Sequence, residues 1–303
     1  MKLRHVALFI CTIGLGIFLL TFLTSPKKTD HNTQNKLHVT TSFYPLQFLA
    51  QEVGKDNLIV TSIVPAGVEP HDFEPKPQDI TNLLSSDLLI YNGAGFETWI
   101  DKLTPDLQKE NIQLIDASQD LVLLPQESGY DPHIWLDPVL AIQITDKITQ
   151  AFITSDPQNQ ASYEVNAADL KTNLTQLHNQ FNNLGTSCAR SEIITSHNAF
   201  GYLASRYGFV ANSISGLSPD EEPSPQKLAE LVELAKQKNI KYIFYESLIS
   251  PRISATIAQE VGAQTLLFNP IEGLTDEEIA QGQNYITIQQ QNLANLKIAL
   301  ECQ

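Results

Sequence analysis

Short-range signatures of metal and hydrolytic chemistry are missing from this chain. It has no HExxH stretch, and its three cysteines, Cys11, Cys188 and Cys302, form no CxxC pair. That argues against the compact zinc-protease and zinc-ribbon types. Basic residues are scarce, 19 Lys and Arg against 34 Asp and Glu, for a formal charge of −15. The four basic residues among the first 28 are unaccompanied by acids, so the remainder is more acidic still. Such a surface repels nucleic acid and anionic lipid and mildly concentrates cations, so no nucleic-acid partner is expected. Charged residues make up 17% and apolar ones 42% of the 303 residues, a composition for a folded chain with room for two cores.

The one long uncharged run lies at the start. Lys2 and Arg4 precede Val6–Thr24, which carries no charge. A basic n-region before an apolar stretch is an export signal, and this run is also long enough to remain as a membrane anchor. No Ala-x-Ala-like cleavage site decides between them, and Cys11 is too early for lipid attachment. Residues 1–28 are read as signal sequence or anchor and 29–36 as a polar tether. The protein is then exported, periplasmic or held on the outer face of the cytoplasmic membrane. In an oxidising compartment Cys188 and Cys302 either pair over a long range, fastening the last helix to the second half, or remain two half-buried thiols.

Beyond the tether, strand-like and helix-like runs alternate. Strands are expected at Leu37–Thr41, Leu58–Val64, Asp87–Tyr91 and Ile112–Ile115, and again at Glu192–Thr195, Phe209–Ile214, Ile240–Tyr245 and Thr265–Phe268. Asp137 and Pro138 form an N-cap and first turn for a helix running to about Ile153. Residues 157–184 contain no glycine, and Leu170, Leu174, Leu177 and Phe181 make one apolar stripe, so a single long helix is expected, stopped by Gly185. His178 sits one position off that stripe and reads as solvated. The alternation implies an α/β fold: two (β/α) lobes with mainly parallel sheets, residues 37–156 and 186–303, joined by a rigid helix over 157–185.

Three histidines stand in loops next to predicted elements: His71 in PAGVEPHDFEPKP, His133 in YDPHIWLDP and His197 directly after Glu192–Thr195. Glu272 follows Thr265–Phe268. Ligands bind beyond the carboxyl ends of strands in open α/β sheets, and three of these four residues lie there. Two come from each half, so they would converge in the cleft between lobes. Three imidazoles and a carboxylate make a four-coordinate set suited to zinc. A lone loop histidine is more often a surface residue; the shared placement is what singles these out. Glu246, ending another strand, is an alternate ligand or a partner that orients an imidazole.

The segments VEPHDFEPKPQDI, NGAGFETWI, DPHIWLDP, SHNAFGYLASRYGF, EEPSPQKLAELVELAK and NPIEGLT occur in this order. Together they make the chain, over roughly residues 37–300, resemble solute-binding proteins of zinc/manganese ABC transporters, in the zinc-uptake ZnuA/AdcA-like branch. The resemblance implies one metal between two lobes, ligated at His71, His133 and His197, and delivery to a membrane permease by a monomeric receptor that is not an enzyme. Manganese-selective relatives typically carry Glu at the third position, so His197 favours Zn²⁺ over Mn²⁺. Two departures stand out. Asn269 occupies a position where many relatives have a ligating Asp, which shifts the carboxylate role to Glu272, with water or Glu246 as substitutes. The stretch before His133, LVLLPQESGYD, lacks the His-rich insertion common in zinc-uptake relatives. The rival classes are an exported zinc hydrolase, with Glu246 as its one candidate base, and an adhesion protein stabilised by metal.

Overall fold

The computed structural model describes residues 36–126, 129–184 and 188–303. The leader, most of the tether and Gly185 therefore lie outside the described residues, and among those described no helix is long and apolar enough to cross a membrane. The first half runs β1 (Leu37–Thr41), α1 (Tyr44–Gly54), β2 (Leu58–Ser62), α2 (Pro77–Leu83), β3 (Leu88–Tyr91), α3 (Ile100–Lys109), β4 (Gln113–Asp116) and α4 (Pro138–Ser155). The long helix is α5 (Gln160–Asn182). The second half runs β5 (Glu192–Thr195), α6 (Gly201–Tyr207), β6 (Val210–Ser213), α7 (Pro225–Lys238), β7 (Tyr242–Tyr245), α8 (Arg252–Val261), β8 (Gln264–Leu267), α9 (Asp276–Ala280) and α10 (Tyr285–Ala299).

Each half forms a four-stranded, wholly parallel sheet, ordered β2-β1-β3-β4 and β6-β5-β7-β8. The equivalent orders place the carboxyl ends of β2, β5, β7 and β8, and the loops after them, at the seam between the lobes. The expected caps form: Asp137 accepts from Val139 N at 2.9 Å, and Gly262 ends α8 at φ 70°. Two helices went unread in the sequence. Pro105 inside α3 reads as a helix breaker although Ile100, Leu103 and Leu107 keep an apolar face, and α9, with five residues, is too short to show a period.

The stripe Leu170, Leu174, Leu177 and Phe181 is buried as expected, extended by Tyr163 and Ala167. A short 3₁₀ turn, Pro157–Asn159, precedes α5, so the 23-residue helix is about 35 Å long, shorter than residues 157–184 would give. His178 is not simply solvated: its Nδ1 lies 3.0 Å from the Tyr207 hydroxyl, which ties α5 to the second lobe. One continuous core runs through both halves, from Val39 and Phe43 through Trp135 and Phe181 to Phe200, Phe268 and Tyr285. A shared core resists the wide hinge opening that two separately packed lobes would allow. Cys188 and Cys302 form a disulfide, joining the end of α10 to the residues before β5.

Candidate metal centre

Four loops converge on the seam. After β2 the chain enters the loop carrying His71, where the Glu69 carboxylate accepts from His71 N with both oxygens at 3.1 Å. The ring of Phe96 packs against the His71 imidazole at 4.8 Å between centroids. His133 sits in a buried segment ahead of α4, where the Asn92 amide donates to Pro132 O at 2.8 Å. His197 follows β5 directly, its carbonyl accepting from the Thr195 hydroxyl. Glu272 lies in the loop after β8.

The structure brings all four predicted residues together, with ligand atoms within 4.8 Å of one another. Nε2 of His133 is 3.3 Å from that of His71 and 3.2 Å from that of His197. Glu272 Oε1 is 3.1 Å from His71 Nε2, 3.6 Å from His133 Nε2 and 3.2 Å from His197 Nε2. A tetrahedral Zn²⁺ with bonds of roughly 2.0–2.1 Å separates its ligand atoms by about 3.3–3.4 Å; these five spacings lie near that edge length, while the sixth pair, His71 and His197, lies within 4.8 Å. His133, His197 and Glu272 are buried; His71, at 8% side-chain exposure, is the group nearest solvent.

Two carboxylates set the imidazoles from behind. Asp131 Oδ1 accepts from His133 N at 3.0 Å and lies 2.8 Å from His133 Nδ1. Glu246 Oε1 does the same for His197, at 3.2 Å from its backbone N and 2.8 Å from Nδ1. Each partner places the proton on Nδ1 and turns Nε2 into the cluster as a lone-pair donor. Glu246 thus lies behind His197 and outside the converging group; with both oxygens on Nδ1 it is badly placed as an alternate ligand or as a base. Sequence reading missed Asp131, although its position two residues before His133 in DPH was a usable signal.

The charges are tightly balanced. Burial would raise Glu272, but His197, His133 and His71 hold it well below the usual carboxylate range. Burial would lower His197, but Glu246 and Glu272 outweigh it and hold the imidazole well above its ordinary value. His133 is raised as well, since Asp131 and Glu272 overcome its burial. In His71 burial prevails and the value falls. Glu69 is pushed up to about 7 by burial and the neighbouring Glu272. The metal-free cluster is a carboxylate-rich pocket neutralised by protons, which a divalent cation can displace.

Two parallel-sheet lobes on one core, with a buried nitrogen-and-oxygen cluster closed across their seam, define a metal-binding solute receptor. The comparisons with known proteins name the group. The model of the family described as zinc-uptake complex component A, periplasmic, matches residues 39–299, and the chain belongs to that family. It is 37% identical to the high-affinity zinc uptake system protein ZnuA of Bacillus subtilis, over 91% of this chain and 92% of that protein. It is 34% identical to the zinc-binding lipoprotein AdcA of Streptococcus pneumoniae, over 94% of this chain but 59% of that longer protein. The Zn(II)-bound ZnuA-like domain of that AdcA superposes with a TM-score of 0.80 at 36% identity, covering 88% of this chain and all of the domain.

Proposed function

We propose that this chain is an exported receptor that captures Zn²⁺ with His71, His133, His197 and Glu272 and delivers it to the permease of an ABC transporter. The observation that carries the reading is the convergence of one carboxylate oxygen and three Nε2 atoms within 4.8 Å, five of their six separations at 3.1–3.6 Å, in a pocket with little solvent. Four protein ligands fill a zinc shell and leave no position for a reacting water, which favours a carrier over a hydrolase. Manganese prefers oxygen ligands and water, so a site three-quarters imidazole selects against it.

Capture proceeds through the His71 side, where the cluster meets solvent. Zinc replaces protons on the imidazoles and joins loops from both lobes, which marks the loaded state for the permease by the order of those loops. On this reading the receptor works as a monomer, periplasmic or anchored on the outer face of the cytoplasmic membrane.

The test is calorimetric titration of the chelator-stripped protein with Zn²⁺ and Mn²⁺, beside the His197→Ala variant. One tight zinc site, far weaker manganese binding and a weakened variant are expected. A folded metal-free protein with no saturable zinc site would overturn the proposal. Unfolding on metal removal would instead point to a structural metal.

A further inference from the structure

Seven residues other than glycine adopt positive φ among those described: Lys55, Ala94, Asn111, Asp120, Asn239, Ile271 and Glu301. Ile271 alone is β-branched, and it is fully buried, at φ 59°. A branched side chain in the left-handed region crowds its own backbone, so such a conformation persists only where the surroundings impose it. Ile271 immediately precedes Glu272. Were its φ to relax to negative values, the chain direction at Glu272 would change and the carboxylate would leave the three imidazoles.

What imposes the conformation is Asn269. Its Oδ1 accepts from Ile271 N at 2.7 Å, closing a side-chain turn over Pro270. Its Nδ2 donates to Ser247 Oγ at 2.9 Å and to Glu278 Oε1 at 2.7 Å. Its backbone N and O pair with the carboxamide of Asn292 on α10, at 2.8 and 2.7 Å. One of these five hydrogen bonds is local to the loop, and the other four come from the loop after β7, from α9 and from α10. Trp135 Nε1 adds a sixth hold on the neighbouring Pro270 O, from the first half of the chain. Asn269 and Asn292 are both buried, so the net has no competition from water. Aspartate at 269 could not make the two Nδ2 bonds and would set a second carboxylate against Glu278.

We infer that Asn269 is a positioning residue for zinc: it locks Ile271 in a strained left-handed conformation and thereby presents Glu272 to the three histidines. This rests on the reading of Glu272 as the fourth ligand. It accounts for the amide at 269 as an anchor for the ligand loop, with the carboxylate supplied three residues later.

The test measures zinc affinity by chelator competition on the whole chain and its variants Glu272→Ala, Asn269→Ala, Ile271→Gly and Asn269→Ala/Ile271→Gly. Asn269→Ala is expected to weaken zinc binding about 10–100-fold, the usual cost of losing a partner that orients a ligand. Glycine adopts positive φ freely, so Ile271→Gly alone is expected to weaken zinc binding less than Asn269→Ala does, by the loss of the buried side chain only. In the Asn269→Ala background the same glycine recovers about fivefold to tenfold, because the drive to relax is gone. A general role in folding would give no such recovery. Should Asn269→Ala fail to fold, Asn292→Ala removes two of the five bonds and replaces it, with the same expected rescue. If Glu272→Ala weakens binding but Asn269→Ala does not, or glycine gives no recovery, the positioning role is wrong. If Glu272→Ala leaves affinity unchanged, the ligand assignment itself fails and takes this inference with it.

Discussion

His133 and His71 bring the same imidazole to one cluster, yet the chain holds them by different means. Residues Asp131–Asp137 are buried throughout and gripped from the second lobe. Tyr202 donates to Asp131 O, Trp135 donates to Pro270 O, Tyr285 donates to Trp135 O, Gln289 donates to Leu136 O, and Arg206 pairs with Asp137. The His71 loop, by contrast, runs exposed from Pro65 to Val68. Among the described residues a single backbone bond, Gly67 N to Leu274 O at 2.8 Å, ties that stretch across the seam. No carboxylate accepts from His71 Nδ1 among the described residues, whereas Asp131 and Glu246 serve the other two rings. One part of the site is thus built with the fold, and another is laid over it. A receptor has to bind tightly and still let go. On the proposed ligand set, His133 and His197 would supply preorganisation and the loosely held His71 the way in and out.

The comparison is broken most directly by removing ligands one at a time. His133→Ala and His197→Ala should weaken zinc by more than the roughly hundredfold that losing an outer partner costs. His71→Ala should cost clearly less, because water can enter at the exposed corner and complete the shell. Chelator competition measures all three, and equal losses would erase the distinction between fixed and laid-over ligands.

Next in size are the carboxylates behind the fixed rings. Asp131→Asn and Glu246→Gln should each lower zinc affinity about 10–100-fold, with the metal-free fold retained. A loss near the lower limit in both would show that packing alone orients the rings.

The pH dependence follows from the shifted groups. His197 is raised, so its contribution to metal-free stability is complete below its unfolded value of 6.5 and is lost as pH rises through the folded value. Glu272 is lowered, so its contribution is complete above 4.5 and is lost as pH falls through the depressed value. Together they stabilise the metal-free protein most between pH 4.5 and 6.5, a window that thermal unfolding across pH can locate. Zinc must displace the His197 proton, so affinity should fall with decreasing pH. Calorimetry in buffers of different ionisation enthalpy should detect proton release on binding, and less of it in Glu246→Gln.

The smallest effect is dynamic. In the metal-free protein, amides of Ala66–Asp72 should exchange hydrogen faster than those of His133–Leu136, and zinc should slow the first group selectively. Uniform protection by zinc would mean that both regions move together.

Much of this arrangement is readable along the chain. Alternating runs bounded by Asp137–Pro138 and Gly262 mark the elements, because capping and periodicity are local physics. The strand rule then points to His71, His197 and Glu272 at carboxyl ends, and the order of motifs points to the family. Two elements stayed hidden: α3, whose apolar face is masked by the breaker Pro105, and α9, which with five residues is too short to signal. The role of Glu246 was only half legible: it lies near His197, but which side of the ring it faces depends on how β5 and β7 pack.

The sequence by itself determined the two parallel-sheet lobes, the long helix between them and the identity of the groups that meet at the seam. These follow from hydrophobic period, turn residues and ligand chemistry, each expressed within a few neighbouring residues. Only the tertiary structure decided the distances among those groups, the carboxylates that turn two of the imidazoles, the asparagine that holds Ile271, and the contrast between His133 and His71. Those depend on residues as far apart in the chain as Asp131 and Tyr202, or Asn269 and Asn292, meeting in one core. Such meetings are set by packing over the whole chain, which no local pattern encodes.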